Sequence, residues 1–370
     1  MKVLLIALML TRVACGSPVE DFIDSAKQKH GDAGDRAARF LAANMPARDK
    51  DSLTADYLTL NLDLSLEARA EFPWAKSVPN EIFLNDVLPY AVFDETRDPW
   101  RADFLNRARP LVKDAKTASE AAQILNREFF KQINVHYNTA RKAPNQSPKE
   151  SMESGHATCT GLSIILTDIC RAVGIPARSV GTPMWSNGRG NHTWVEIWDN
   201  GWHYLGADEF DAKGLNRGWF TGDASQAKAD VPENAIYATS WKKDGLAFPM
   251  VWAPESNDVA AVNVTGHYTK AAIKSTTSQL GVRLFDKKGG TRMVAKARLD
   301  CGSECVHNSA FTKAGTTDLN DMPRFNLKSG TKGRVFFDVG DETRELSFGP
   351  LETGDSTLDA VWSELLPKSP

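Results

Sequence analysis

The chain has 370 residues, of which 42% are hydrophobic and 25% are charged, and 44 Lys and Arg against 47 Asp and Glu give a net charge of −3. This composition is typical of a globular protein of two or three domains, and it excludes collagen, a disordered tail and a polytopic membrane protein. The near balance of charge gives no basis for a nucleic-acid partner.

The first 16 residues have the pattern of an export signal. A positive start is followed by an apolar run of eight residues at 3–10, and Ala14 and Gly16 offer small residues for cleavage. The run is too short to span a bilayer, so we expect a secreted, periplasmic or cell-surface protein without a transmembrane segment. A lipid anchor on Cys15 is the less favoured alternative, because Arg12 does not suit a lipoprotein signal.

Helical periodicity dominates the chain from residue 17 to residue 131, where apolar residues recur at spacings of three and four. A polar loop follows, then one clear helix, and after it mostly strands with Gly-rich turns, although 358–366 is predicted to be a last short helix. We therefore expect an α+β protein with a helical N-terminal region, a mixed core and a C-terminal β-sandwich-like domain. The expected segments are 1–16 for the signal peptide, 17–131 for the helical region, 132–250 for the core and 251–370 for the β-rich domain.

A helix that starts near Cys159 carries the first chemical signal. From Leu162 to Val173, apolar residues are spaced 3, 1, 3, 1 and 3 apart, which forms one face of an α-helix. Thr158 is an expected N-cap, so Cys159 lies in the first turn, where the helix dipole and unpaired backbone N–H groups stabilise a thiolate. The same N–H groups can receive the oxyanion of a substrate carbonyl. Cys170 lies on the apolar face in mid-helix and is expected to be structural.

A nucleophilic cysteine needs a base, and the base needs a group that orients it. Asn-Gly at 200–201 lies between two aromatic and β-branched runs, which predicts a β-hairpin. If the turn is centred on Asn200, opposite residues sum to 400, and His192 and Asp208 become cross-strand neighbours with Cβ atoms about 5 Å apart. The sequence therefore predicts Cys159, His192 and Asp208 as nucleophile, base and orienting acid.

Three stretches join Cys159 in one pattern. They are Arg-Ala-Val-Gly-Ile-Pro-Ala-Arg at 171–178, His-Thr-Trp-Val-Glu-Ile-Trp at 192–198 and Gly-Ala-Asp at 206–208. This pattern resembles the transglutaminase-like core over roughly residues 132–223, and exported bacterial members look similar in the segment Asn-His-Thr-Trp at 191–194. The resemblance implies a papain-like Cys-His-Asp triad on an α+β fold, with all three catalytic positions matched.

The resemblance also implies a reaction. A Cys159 thiolate paired with a His192 imidazolium attacks an amide carbonyl, and the resulting thioester is resolved by water or by a primary amine. The outcome is a peptidase, an amidase or an amide-to-amine acyltransferase. The Cys159 backbone N–H is the first expected oxyanion donor. Gln146 is a candidate for the second, because an upstream Gln has that role in papain-like enzymes, but its spacing differs from papain's and a hydrogen bond within its loop is the favoured role. Tyr137 is an equal rival as oxyanion donor.

Aromatic residues crowd around the expected site, with five of the ten tryptophans between residues 185 and 219. Trp185, in a loop rich in Gly and Asn, and Trp194 are the candidates for the wall of a substrate groove. Trp194 is also expected to share a face with His192 and to pack that face against the helix of Cys159.

Two further cysteines, Cys301 and Cys305, lie four residues apart in a loop-like stretch. In an oxidising compartment a disulfide is the favoured interpretation. A zinc cluster with His307 is the alternative, but its spacing is irregular and a fourth ligand is missing. We therefore expect no metal and no cofactor, and the sequence shows no acidic loop that supports calcium dependence.

The favoured function is a secreted cysteine-nucleophile enzyme that acts on protein or peptide amide bonds, with cell-wall and extracellular substrates among the options. The alternative is a catalytically inactive transglutaminase-like module that presents the C-terminal β domain to a surface or a glycan. Thiol reactivity distinguishes the two, because a Cys159 with an ordinary pKa favours the inert module.

Overall fold

The structure is a computed structural model that describes residues 16–269, 277–302, 305, 308–315, 321–351 and 354–367. Nearly all of the expected export signal, with Cys15, lies outside the described residues, and so does His307. Within the described ranges, no helix is long and apolar enough to cross a membrane.

In the helical N-terminal part, a side chain caps the start of each of the three longest helices. Ser17 accepts from the Glu20 N–H and Glu20 caps Ser17 in return, while Thr54 and Thr117 cap two later helices. Gly31 has φ +61° and interrupts the first helix. The helices are α1 Pro18–Asn44, α2 Ala47–Ser52, α3 Ala55–Glu71, α4 Asn80–Asp86, α5 Trp100–Val112, α6 Ala118–Ile133, α7 Pro148–Ser154, α8 Cys159–Ala172, α9 Thr221–Ser225 and α10 Thr265–Thr269.

The middle of the chain forms an antiparallel sheet. Its strand order among the described residues is β5-β4-β3-β6-β7, and neighbouring strands are antiparallel. A two-residue parallel pair, β1 with β2, precedes it. The strands are β1 His136–Tyr137, β2 His156–Ala157, β3 Ala177–Thr182, β4 His192–Trp198, β5 Trp202–Leu205, β6 Tyr237–Ser240 and β7 Ala260–Asn263.

Helix α8 covers one face of this sheet. The odd-numbered residues Val195 and Ile197 of β4 lie in the same apolar cluster as Leu162, Ile165 and Ile169 of α8. The even-numbered residue Trp194 points to the opposite face because side chains alternate along a strand. The expectation that Trp194 packs against the Cys159 helix is therefore wrong.

The C-terminal part consists of two sheets around one apolar cluster. In the described residues their strand orders are β10-β9-β12-β13-β15 and β11-β8-β14. The helix expected over 358–366 is wrong in extent: residues 358–361 belong to a strand that pairs in parallel with β8, and a single 3-10 turn follows at Trp362–Glu364. The strands are β8 Thr277–Phe285, β9 Lys296–Asp300, β10 Ser309–Phe311, β11 Arg324–Lys328, β12 Gly333–Val339, β13 Glu342–Phe348, β14 Gly354–Val361 and β15 Leu366–Pro367.

The α+β class and the helical N-terminal region are confirmed. The segment boundaries at 131 and 250 stay predictions, although the central sheet takes its last strand from Ala260–Asn263.

Candidate active site

Cys159 lies at the first turn of α8, as the sequence predicts. Thr158 has extended backbone angles, and its hydroxyl accepts from the Gly161 N–H at 3.0 Å, so it caps the helix. The Cys159 side chain is partly exposed, and it opens into a cavity of about 140 Å³. A thiol in this position is within reach of a small substrate group.

The cavity brings four of the predicted site residues together. Tyr137, Cys159, His192 and Asp208 all line it, and they come from β1, α8, β4 and the turn after β5. The sequence did not single out the other lining residues as site residues. Those that can form hydrogen bonds through their side chains are Thr193, Glu209, Trp219, Asp321 and Arg324.

His192 begins β4 and is packed among aromatic rings. His192 is only 5% exposed. The centroid of its ring lies 4.5 Å from that of Trp219 and 5.1 Å from that of Phe220. Among the described residues its Nε2 has no hydrogen-bond partner. Burial, together with the nearby charges of Arg324 and Arg189, lowers the pKa of His192 to about 3. The imidazole is therefore neutral at physiological pH.

Burial also has the largest effect on the pKa of the Cys159 thiol. It raises the pKa of Cys159, and hydrogen bonds from the Thr193 and Thr160 backbones lower that pKa only in part. The expectation of a stabilised thiolate paired with an imidazolium is therefore wrong for this state of the protein. Because burial outweighs the helix-start hydrogen bonds, the site holds a neutral thiol and a neutral imidazole.

Asp208 does not pair with His192. The predicted hairpin register is correct, since Val195 faces Leu205 and Trp198 faces Trp202, but β5 ends at Leu205 before the register reaches Asp208. Asp208 has φ +62° and so leaves the strand. Its Oδ2 lies 2.8 Å from Nδ1 of His136 instead. The cross-strand His192–Asp208 contact is therefore wrong in this structure.

A side chain from α6 holds the turn that displaces Asp208. The Asn126 amide donates to the Gly206 carbonyl at 2.9 Å, and its oxygen accepts from the Asp208 N–H at 2.9 Å. Burial raises the pKa of the Asp208 carboxyl, and the hydrogen bond and charge of His136 oppose that rise.

Glu209, the next residue, occupies a distinct place in the cavity. Its Oε1 accepts from the Trp219 indole N–H at 2.9 Å. Neighbouring protein atoms partly desolvate the carboxyl, and this raises the pKa of Glu209 to about 7, although the residue as a whole is exposed to solvent. Only the crowding of tryptophans hinted at Trp219 in the sequence, and no local pattern pointed to Glu209.

The two candidates for the second oxyanion donor differ. Gln146 is buried, and its amide is used by its own loop: Oε1 accepts from the Lys142 N–H at 2.9 Å, and Nε2 donates to the His156 carbonyl at 3.2 Å. Gln146 does not line the cavity, so its oxyanion role is wrong in this arrangement. Tyr137 lines the cavity beside Cys159 and stays a candidate.

The two groove candidates lie in the core. Trp185 is 1% exposed and Trp194 is fully buried, and their rings stack with centroids 5.9 Å apart. The Trp194 indole donates to the Tyr268 hydroxyl at 2.8 Å. Neither side chain lines the cavity, and the groove-wall assignment is wrong for both. Trp219 takes that position instead.

The remaining cysteines are separate from the site. Cys301 and Cys305 form a disulfide with Cα atoms 5.1 Å apart, and Cys170 is fully buried in mid-helix. Across the described part of the chain, no group of three His, Cys, Asp or Glu side chains could hold a metal ion.

Comparisons with known proteins give a family for part of the chain. Residues 106–209 match the family model described as the transglutaminase-like superfamily. No curated protein matches the chain.

Solved structures show likeness at low identity. A protein from Cytophaga hutchinsonii, provisionally assigned as a cysteine protease, is 15% identical with a TM-score of 0.30, over 40% of this chain and 50% of that one. A provisionally assigned protease from Parabacteroides distasonis is 10% identical with a TM-score of 0.27, over 68% of this chain and 38% of that one. Red sea bream transglutaminase is 12% identical with a TM-score of 0.22, over 79% of this chain and 58% of that one.

The match spans less than two thirds of the length of each of these solved proteins. The family match covers the helix that begins at Cys159, the strand that begins at His192 and the turn that holds Asp208, and at the level of the family it supports a cysteine enzyme. The chain carries a transglutaminase-like superfamily domain at residues 106–209.

Proposed function

We propose that the protein is an exported cysteine enzyme that acts on protein or peptide amide bonds through a thioester on Cys159. One observation carries the proposal: a partly exposed thiol at a helix start shares a cavity with an imidazole that is neutral and able to accept its proton.

The mechanism starts from two neutral groups. His192 takes the Cys159 proton as the sulfur attacks the amide carbon, so the ion pair forms only when the substrate is in place. The Cys159 N–H receives the oxyanion, with Tyr137 as the candidate second donor. His192 then gives its proton to the leaving amine, the C–N bond breaks, and a thioester remains. Water or a primary amine resolves the thioester and restores the thiol.

The role proposed for Asp208 requires a change of its hydrogen-bond partner. Its carboxyl lines the same cavity as His192 but is hydrogen-bonded to His136. We propose that Asp208 exchanges His136 for His192 when substrate fills the cavity, which orients the ring and stabilises the imidazolium.

A second candidate function is a non-catalytic binding module. The raised pKa of Cys159 and the lowered pKa of His192 favour it, because neither group is ionised near neutral pH. The cavity would then bind a ligand without cleaving it.

Mass spectrometry of a generic protein substrate distinguishes the two. We expect the full chain to produce cleavage, deamidation or cross-links, and we expect Cys159→Ala to lose that activity by at least about a thousandfold. Cys170→Ala is the matched control and should keep the activity. Activity that survives in Cys159→Ala would show that the nucleophile is wrong, and an unmodified substrate with wild-type protein would favour the binding module.

Export is the second part of the proposal. It rests on the signal-like pattern of residues 1–16, and a disulfide between Cys301 and Cys305 suits an oxidising compartment. N-terminal sequencing of protein recovered outside the cytoplasm of a bacterial host should show a chain that begins after the apolar run. A full-length cytoplasmic product would contradict export, and a lipid on Cys15 would support the anchored form.

A further inference from the structure

Glu209 lines the active-site cavity together with Cys159, and the proposed formation of the thioester does not use it. The residue follows the turn that holds Asp208 and is exposed to solvent as a whole. His192, the base that takes the thiol proton, is buried among aromatic rings. Glu209 thus combines a place in the cavity with access to water, which the buried imidazole lacks.

Two features hold the Glu209 carboxyl in place. Its Oε1 accepts from the Trp219 indole N–H at 2.9 Å. Its Oε2 lies against Gly206, where a Cβ atom would overlap with it. The glycine therefore leaves space for the carboxyl, and the indole fixes its orientation. A carboxylate anchored through one oxygen can still take up a proton on the other.

The Glu209 carboxylate acts on the sulfur rather than on the imidazole. Burial, and in addition the negative charge of Glu209, raise the pKa of the Cys159 thiol, whereas burial and the charges of two arginines lower that of His192. The Trp219 ring lies beside His192, with centroids 4.5 Å apart, and its N–H is bound to Glu209. Glu209 is therefore placed to act on an acyl group carried by the sulfur.

Hydrolysis of a thioester needs a group that takes a proton from water. Once His192 has passed its proton to the leaving amine it is neutral again, and its pKa of about 3 makes it a weak base. Desolvation raises the pKa of Glu209 to about 7, and a base is most effective when its pKa lies near the working pH. A cavity of about 140 Å³ has room for water, and its polar side chains supply hydrogen-bond partners.

We propose that Glu209 is the proton acceptor for the water that resolves the Cys159 thioester. The water oxygen bonds to the acyl carbon as Glu209 takes one of its protons. The C–S bond then breaks, Glu209 gives that proton to the sulfur, and a carboxylic acid and the free thiol remain. This inference rests on the proposed thioester and assigns the two steps to different bases, because His192 serves its formation and Glu209 its hydrolysis.

An activated ester tests this step apart from amide cleavage. p-Nitrophenyl acetate transfers its acetyl group to the Cys159 sulfur with loss of nitrophenolate, and mass spectrometry follows the loss of the acetyl thioester after excess reagent is removed. We expect Glu209→Gln to slow this loss by about a hundredfold, so that the acetylated protein accumulates. Glu153→Gln is the matched control on an exposed glutamate of α7 that does not line the cavity, and it should keep the wild-type rate. Equal rates in the wild type and Glu209→Gln would overturn the proposal.

The pH dependence of thioester loss distinguishes a base from a structural role. Only the ionised carboxylate accepts a proton, so the rate should rise with pH to a plateau, with a midpoint near pH 7 that Glu209→Gln removes. A midpoint that persists in Glu209→Gln, or a wild-type rate without one, contradicts the proposal. The ionisable side chains that share the cavity with Glu209 in the acylated protein are Tyr137, His192, Asp208, Asp321 and Arg324. Of these, Arg324 lowers the pKa of Glu209, Asp208 raises it, and His192 stays neutral over this range.

A second variant leaves the carboxyl in place and moves its pKa. Trp219→Phe removes the N–H that stabilises the Glu209 carboxylate and keeps a ring beside His192, so the midpoint should move to higher pH by about one unit. A midpoint that stays in place or falls would show that another group titrates.

Amide cleavage and thioester hydrolysis can fail separately. If the protein cleaves no amide, the proposed function fails, while the loss of the acetyl thioester still decides the role of Glu209. A Cys159 that p-nitrophenyl acetate does not acylate would overturn both.

Discussion

At the level of single residues, Glu209 is the carboxyl group whose charge opposes ionisation of the Cys159 thiol. Because the pKa of Glu209 lies at about 7, this repulsion acts mainly above neutral pH, where the carboxyl is ionised. Asp208 is adjacent in sequence, but its carboxyl is directed to His136. Two neighbouring acids thus have different effects on the nucleophile.

We therefore predict that Glu209→Gln lowers the pKa of Cys159. The substitution removes a negative charge and keeps an oxygen that can accept from Trp219, so the thiolate becomes less unfavourable. The rate of iodoacetamide alkylation at pH 8 should rise about threefold, and its pH midpoint should move to lower pH. Asp208→Asn is the control with a smaller expected change. A midpoint that stays in place or rises in Glu209→Gln would contradict this account.

The nucleophile and the base could be predicted because their signals are local. A polar N-cap before an apolar helical face marks Cys159, and an Asn-Gly turn sets the register of the strand that begins at His192. The position of Asp208 could not be predicted in this way. It depends on Asn126, which reaches the turn from a helix about 80 residues earlier, and no local pattern encodes that contact.

At the level of elements, the start of α8 depends on one hydroxyl. Thr158 caps the helix through the Gly161 N–H and also donates to the Pro144 carbonyl at 2.5 Å, so it joins the helix to the preceding loop. This cap fixes the first turn, and with it the direction in which Cys159 faces the cavity.

Removal of this cap should destabilise the protein. We predict that Thr158→Ala lowers the free energy of unfolding by about 1 kcal/mol, measured by urea titration, because the Gly161 N–H and the partly buried Pro144 carbonyl lose their partner. Thr158→Ser keeps the hydroxyl and should lose much less. Equal losses for the two variants would show that the methyl group, rather than the cap, stabilises this turn.

Strand pairing between distant segments also escapes sequence analysis. Residues 354–361 form a strand because they pair in parallel with β8, which lies about 76 residues earlier. The apolar spacing of residues 358–366 alone allowed a short helix, and for residues 358–361 the pairing partner decided the outcome. The adjacent hairpin from Gly333 to Phe348 was predictable, because its two strands and its turn are contiguous.

At the level of the whole molecule, the burial of His192 makes stability depend on pH. Its folded pKa of about 3 lies below the ordinary value near 6.5, so between these two values the unfolded chain binds a proton that the folded protein does not. Above pH 6.5, His192 is neutral in both states and its protonation costs the folded protein no stability. As the pH falls from 6.5 towards 3, the free energy of unfolding decreases by about 1.4 kcal/mol for each pH unit.

We predict that His192→Asn flattens this dependence. The variant should lose less stability than the wild type between pH 6.5 and pH 5, as measured by denaturant unfolding at several pH values. Comparison of the two proteins cancels groups that both contain, including Asp86, whose pKa burial raises to about 6 with an effect of opposite sign. Parallel pH curves for the two proteins would show that His192 is hydrated in the folded state.

Part of the cavity lining comes from a sheet other than the one that carries His192. This separation affects how substrate specificity can change during evolution. Arg324 and Asp321 belong to chain segments that share no helix or strand with Cys159 or His192. A mutation at the start of β11 can therefore change which substrates fit, while α8 and β4 still position the nucleophile and the base. In a lineage of related proteins, specificity would then drift at positions 321–324 while the catalytic centre stays under constant selection.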